Sequence, residues 1–180
     1  MLSIIFWLIV IAMAAVLIIA AMRPDSFRIE RSITIDAPPQ KVFALLQDFK
    51  AWEAWSPWEK VDPALQRTYS GAEHGRGAIY AWQGNKQVGS GRMEIEECHP
   101  DASMKIYLHF MKPFEAHNYV DFTLTPQGTG SQTSTQLSQA MYGPSPFISK
   151  VMGLVFNMEK MVGSKYEEGL RSIKALAERP

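Results

Sequence analysis

Along this chain the hydrophobic pattern runs unbroken at first, then alternates, and ends with a helical period. Met1 to Met22 carries no charged side chain. As a helix this run would be roughly 31 Å long at about 1.5 Å per residue, which matches a hydrocarbon core of about 30 Å. After Arg23-Pro24-Asp25-Ser26 the period becomes two: Phe27, Ile29, Ile33 and Ile35 alternate with polar neighbours, predicting a half-buried strand. Asp36-Ala37-Pro38-Pro39 ends it and starts a short helix carrying Val42, Phe43, Leu45 and Leu46, with proline suited to the first turn. Trp52, Trp55 and Trp58 follow, beside Pro57, in a turn or short helix. Strand-like runs then cover Leu65 to Tyr69, Ala78 to Gln83, Val88 to Glu97, Met104 to Phe110, Tyr119 to Thr125 and Thr133 to Met141. Gly84-Asn85, His99-Pro100-Asp101 and Pro126 to Gly130 supply reversals between them. From Ser145, a candidate N-cap, and Pro146 onward the apolar positions recur at three- and four-residue steps to Leu176, predicting one long amphipathic helix. Gly153, Gly163 and Gly169 inside it predict a bend or a close approach to another part of the chain.

Composition narrows this picture. About a dozen Leu, Ile, Val and Phe side chains in the first run give a gross insertion drive of about −4 to −7 kcal/mol. An uncleaved anchor over residues 1–22 is the favoured reading, with a linker over 23–26 and one domain over 27–180. A cleaved secretory signal is the alternative, but the one Ala-x-Ala, Ala12-Met13-Ala14, lies inside the apolar run. Arg23, Arg28, Arg31 and Lys41 all follow the span, a bias that favours a cytoplasmic domain. Cys98 is the only cysteine, so no intramolecular disulfide forms. Eighteen basic residues balance eighteen acidic ones, which leaves no electrostatic footprint for nucleic acid.

The order of strand, short helices, six strands and long helix joins Ile35-x-Ala37-Pro38-Pro39-x-Lys41-Val42-Phe43, Trp52-x-x-Trp55-Ser56-Pro57-Trp58 and Gly89-x-Gly91-x-Met93-x-Ile95. Together these resemble the START-like (SRPBCC) superfamily, in particular its bacterial polyketide cyclase/dehydrase and lipid-transport branch. The resemblance implies an α+β helix-grip fold, a curved antiparallel sheet of about seven strands wrapped on the C-terminal helix. It also implies an elongated cavity for an apolar ligand such as a lipid, a quinone or a polyketide-like molecule. The superfamily contains carriers, regulators and a minority of enzymes, and the anchor stands outside its common domain.

Candidate ligand contacts follow from residue type. Trp52, Trp55 and Trp58 offer large rigid apolar area, or else pack the helices on the sheet. Met93, Met141 and Met152 offer adaptable walls, or else core, and Phe110 and Phe156 join them as aromatic candidates. Tyr80 and Trp82 share a strand face and could bring a hydroxyl and an indole N–H to a ligand's polar end. His109, Glu115 and His117 are the weak candidates for acid–base chemistry, because imidazole titrates near neutrality. Metal motifs are absent: no HExxH and no Cys-x-x-Cys occurs, so no metal or cofactor is expected. The glycine-rich stretch Gly71 to Gly77 lacks the Gly-Lys-Ser/Thr ending of a phosphate loop, and no Gly-x-Ser-x-Gly elbow occurs. The expected function is hydrophobic-ligand binding or transport by a membrane-anchored module. The alternatives are a cyclase/dehydratase-type enzyme on a lipophilic substrate, or an interaction protein whose cavity is filled by its own side chains.

Overall fold

The computed structural model describes residues 2–128 and 133–179. Helix α1 (Leu2–Ala21) precedes strand β1 (Ser26–Ile35), helix α2 (Pro39–Leu46), a 3₁₀ turn at Phe49–Ala51, the short helix α3 (Trp52–Trp55) and a second 3₁₀ turn at Pro57–Lys60. Strands β2 (Gln66–Gly71), β3 (Ala78–Gln83), β4 (Ser90–His99), β5 (Ser103–Lys112), β6 (Ala116–Gln127) and β7 (Ser134–Pro144) follow, then helices α4 (Phe147–Val155) and α5 (Met158–Ala177).

All seven strands form one antiparallel sheet in the order β1-β7-β6-β5-β4-β3-β2. β2 to β7 are a meander, and β1 returns to its last strand. The connection from β1 to β2, at opposite edges, therefore crosses one face and lays α2 and α3 over it. α5 runs over the same face along β1, producing the helix-grip arrangement expected from the resemblance. Alternation sets the inner face: Ile29 and Ile35 on β1, Met104, Ile106 and Leu108 on β5, Val120, Phe122 and Leu124 on β6 are all buried there. Val162, Tyr166, Leu170, Ile173 and Ala177 bring the apolar stripe of α5 against them. Each fully buried side chain of the Leu, Ile or Phe kind contributes about 1.5–3 kcal/mol of transfer free energy.

Register defines two ends of the sheet. Ser26 stands opposite Pro144 and Phe110 opposite Ala116, so the start of β1, the end of β7, the β5–β6 turn and the β3–β4 turn share the end next to α1. The β2–β3 and β4–β5 turns and the start of α2 share the far end. α5 runs from the α1 end to the far end, where the Glu178 carboxylate accepts from the Asp36 backbone N–H at 2.7 Å.

The C-terminal helical pattern is broken where the sequence predicts one helix. Phe156 is extended (φ −107°, ψ 122°) and the Asn157 side chain accepts from the Lys160 N–H at 2.9 Å, capping α5 as a new helix. Ser145 does not cap α4; its N–H donates to the Asp25 carbonyl at 2.6 Å, and the helix begins after Pro146. The glycines of α5 serve close approach as expected. A Cβ on Gly163 would lie 2.2 Å from the Arg31 guanidinium, and one on Gly169 3.2 Å from the Pro57 ring. Of the predicted reversal Pro126 to Gly130, Thr129 and Gly130 lie outside the described residues.

Phe122 sits at the centre of the inner face with no exposure. Phe122→Ala is expected to lower the unfolding free energy by about 3–5 kcal/mol through lost transfer energy and a residual cavity. Its exposed neighbour Thr123, changed to Ala, should shift stability by no more than about 0.5 kcal/mol. Urea denaturation in detergent micelles, followed by tryptophan fluorescence, checks both.

Candidate functional site

The tryptophan-rich segment between β1 and β2 lies over the middle of the inner face. Trp52 and Trp55 are 6% and 2% exposed, 4.7 Å apart between ring centroids, and both meet the Phe122 ring edge-on. Phe49 bridges Trp52 and Tyr80 at 5.2 and 5.8 Å. These rings fill the centre with one another. Trp58 points out, at 42% exposure.

Toward the β2 edge the packing becomes an aromatic strip. Tyr69 stacks on Tyr80 at 5.4 Å, Tyr80 on Trp82 at 6.0 Å, and Trp82 meets Phe110 edge to face at 5.8 Å. Strand register explains the strip, because Tyr69 is paired with Tyr80 and Trp82 with Gly91, whose own β5 partner is Phe110. A Cβ on Gly91 would lie 2.5 Å from the Trp82 ring, so the glycine makes room for the indole. Trp82 and Phe110 are half-buried and lie at the α1 end; Tyr80 and Met93, farther in, are buried.

A charged network borders this strip. The Tyr80 hydroxyl donates to Glu59 Oε1 at 2.6 Å, and Arg67 Nε donates to Glu59 Oε2 at 2.6 Å. The Glu59 side chain is only 6% exposed, so both carboxylate oxygens are satisfied by protein donors, as a buried charge requires. Tyr69 donates to Glu53 Oε1 at 3.0 Å, and Glu53 stands 3.8 Å from Arg67. Burial, and then the Glu59 hydrogen bond, raise the Tyr80 phenol above its ordinary range; burial and Glu53 do the same to Tyr69. Arg67 is likewise held charged by its bond to Glu59. The pair of phenols thus offers hydrogen bonds rather than a proton sink at neutral pH.

The predicted site residues separate into groups. Trp52, Trp55, Tyr80, Met93 and Met141 are buried in one core cluster, and Trp82 and Phe110 pack half-buried against it. Met152 and Phe156 are exposed on and beside α4, outside the core cluster between sheet and α5. His109 and His117 stand on the outer face, where Tyr107 and Tyr119 also lie, because they alternate with inward Leu108 and Asn118. Their rings stack at 4.3 Å, their Nε2 atoms lie 3.2 and 3.5 Å from Glu115 Oε1, and Tyr107 Oη lies 2.6 Å from His117 Nδ1. Among the described residues, these three form a group of His, Cys, Asp or Glu whose ligand atoms all lie within 4.8 Å of one another. The sheet separates them from anything bound between sheet and helix. Cys98 is half-buried, and burial pushes its thiol up, away from nucleophilic reactivity.

Glu53, Glu59, Arg67 and Tyr69 escaped the sequence reading. For Arg67 alone there was a partial signal, since it shares the parity of Tyr69 and so puts its charge on the same strand face as that ring. Two open cavities lie on opposite edges of the sheet, the first on the β1–β7 edge away from Trp82 and Phe110. One of about 510 Å³ opens at the α1 end beside Ser26, Phe27, Arg28, Tyr142 and Gly143, and one of about 270 Å³ opens between the Phe49 turn and Tyr69–Glu73.

The family model described as polyketide cyclase / dehydrase and lipid transport matches residues 26–178. Among solved structures, protein CV1439 from Chromobacterium violaceum is 16% identical, with 88% of this chain and 100% of that one covered and a TM-score of 0.58. MLL2253 from Mesorhizobium loti is 17% identical, with coverages of 83% and 96% and a TM-score of 0.59. DynU16, from the dynemicin biosynthetic locus, is 16% identical, with coverages of 85% and 47% and a TM-score of 0.54. At such identities these likenesses establish the fold. No curated protein matches the chain by sequence.

Arg67→Ala would leave the buried Glu59 carboxylate without its cation. The expected loss is about 2–4 kcal/mol, somewhat below the 3–5 of a fully buried pair because the Arg67 side chain is a quarter exposed. Arg67→Lys should lose less, keeping the charge. Thermal denaturation of both variants checks the order.

Proposed function

Because the chain belongs to the polyketide cyclase/dehydrase and lipid-transport family across residues 26–178, we propose that it is a membrane-anchored module that binds a lipid or similarly elongated apolar molecule. The ligand lies on the inner face of the sheet at the α1 end. The observation that carries this reading is the half-buried Trp82–Phe110 pair, which leads inward to Tyr80 and the Glu59–Arg67 ion pair. Aromatic rings supply rigid apolar contact to a chain or ring system, and a few placed polar groups fix its orientation. The centre of the grip is not available to the ligand, since Phe49, Trp52, Trp55 and Phe122 fill it.

Ser3–Ala21 is long and apolar enough to cross a membrane, and nearly all of it is exposed. Residues 1–22 act as the anchor, 23–26 as the linker and 27–180 as the binding domain. A linker of four residues spans at most about 14 Å, so the domain stays at the headgroups. Arg23, Arg28, Arg31 and Lys41 after the span favour its cytoplasmic side. The ligand then passes between bilayer and domain without crossing much water. An enzymatic role draws no support from His109, Glu115 and His117, which face away from the ligand.

Photolabelling tests this. Full-length protein in liposomes containing a phospholipid with a diazirine-tagged acyl chain is irradiated, and adducts are mapped by mass spectrometry. Adducts around Trp82 and Phe110, reduced by Trp82→Ala, are expected. Adducts confined to α1 would overturn the reading in favour of an interaction module with a filled core, the alternative that the central ring packing favours.

A further inference from the structure

The soluble part exposes its large hydrophobic side chains unevenly. Trp58 apart, those among the described residues after β1 lie on α4, at Phe156, on the first turn of α5, or at the β5–β6 turn. On α4, Phe147 and Ile148 are 48% and 65% exposed; at the turn, Phe114 is 68% exposed. A patch of this kind marks an interaction surface.

Several observations say what covers it. α4 packs directly against α1, next to the buried Ala20, and a Cβ on Gly153 would lie 3.1 Å from the Arg23 guanidinium. α4 therefore sits at the last turn of the apolar span. Its single charged side chain, Lys150, is 7% exposed and turned to the linker, with Nζ 2.5 Å from Asp25 Oδ1. That pairing leaves the outer face of α4 without charge. The β5–β6 turn lies at the same end of the sheet by register. It is displaced from β1 by two to three strand spacings, roughly 12 Å. Two separate segments thus present apolar side chains on the side where the span leaves the domain.

Resting on the membrane-anchored reading above, we propose that this end of the domain is a bilayer-contact surface. α4 lies in the boundary between headgroups and acyl chains, and Phe114 dips in beside it. The occupant is lipid because the patch continues the apolar surface of α1, and the short linker gives it no room to face elsewhere. A helix with an uncharged apolar face gains stability by lying in that boundary. The half-buried Trp82–Phe110 pair, at the same end of the sheet, then stands beside lipid rather than water.

The test uses the full chain with Cys98→Ala and single cysteines from Ile148→Cys, Phe114→Cys or, as control, Thr123→Cys on the outer face. Each is labelled with an environment-sensitive fluorophore and reconstituted into phosphatidylglycerol/phosphatidylethanolamine liposomes with or without shallow nitroxide-labelled lipid. Labels at 148 and 114 should shift to the blue and lose most of their emission to the nitroxide; the label at 123 should do neither. Co-flotation with the liposomes after carbonate washing reports the anchor separately. Flotation with labels at 148 and 114 as wet as at 123 overturns the contact surface and leaves the anchor intact. A blue shift without nitroxide quenching also overturns it, because protein rather than lipid then covers the patch. Loss of flotation removes the anchored reading and the contact surface with it.

Discussion

Two indole N–H groups tie α3 to the end of α2 and so set the helical layer that packs on the sheet. α2 ends at Leu46, and the last carbonyls of a helix have no partner within it. Trp52 Nε1 donates to the Leu46 carbonyl and Trp55 Nε1 to the Leu45 carbonyl, both at 2.9 Å. Burying an indole is costly unless its N–H is satisfied, and burying a helix end is costly unless its carbonyls are. Here each group meets the other's need, so both rings can sink onto Phe122. That fixes α2 and α3 over the centre of the sheet, sets the groove that Gly169 of α5 fits, and places Glu59 above Tyr80.

A consequence of this anchoring is a gradient across the inner face. At the centre the space is closed by rings that satisfy one another, and large cavities cannot coexist with such packing. Toward the β2 edge and the α1 end, the rings become half-buried and charges enter in neutralised form. The Glu59–Arg67 pair tolerates burial only because both carboxylate oxygens have donors, so the pair holds a polar boundary without acting as a free charge. The proposed ligand contacts therefore lie at the margin of the grip rather than in its middle, where Trp52 and Trp55 pack the core.

How much of this the sequence displayed depends on how local the cause is. Strand alternation is a local property, and it located Ala78–Gln83 to the residue and the other strands to within about three residues at their ends. The shared face of Tyr80 and Trp82 followed from the same parity. The break between α4 and α5 was harder, since Phe156 and Met158 keep the apolar run continuous while Asn157 caps a new helix within it. Glu59 and Arg67 were missed because their pairing is made by tertiary contact across a turn. The outward placement of His109 and His117 was decided by which face the helices chose to cover, which period two alone cannot say. Of the candidate site, the aromatic half was legible from residue type and parity, and the charged half was not.

The strand that follows α1 is an edge strand, and its free side is secured. β1 is an edge strand whose outer backbone groups would otherwise template pairing with another chain. Its carbonyls are covered from α5 and from its own side chains: Lys174 Nζ donates to the Thr34 carbonyl at 2.8 Å and Arg31 Nη1 to the Glu30 carbonyl at 2.8 Å. Arg31 also bonds Glu159 and Glu167, which ties the first half of α5 to the same edge. The strand that carries the tether is thus paired with β7 along its whole length and clasped by α5 on its free side. All ten residues of β1 are paired with β7, so the strand is held along its full length. Because α5 is clasped to that strand, α4 is held against the end of α1, and the placement of the grip relative to α1 follows from the edge contacts of one strand.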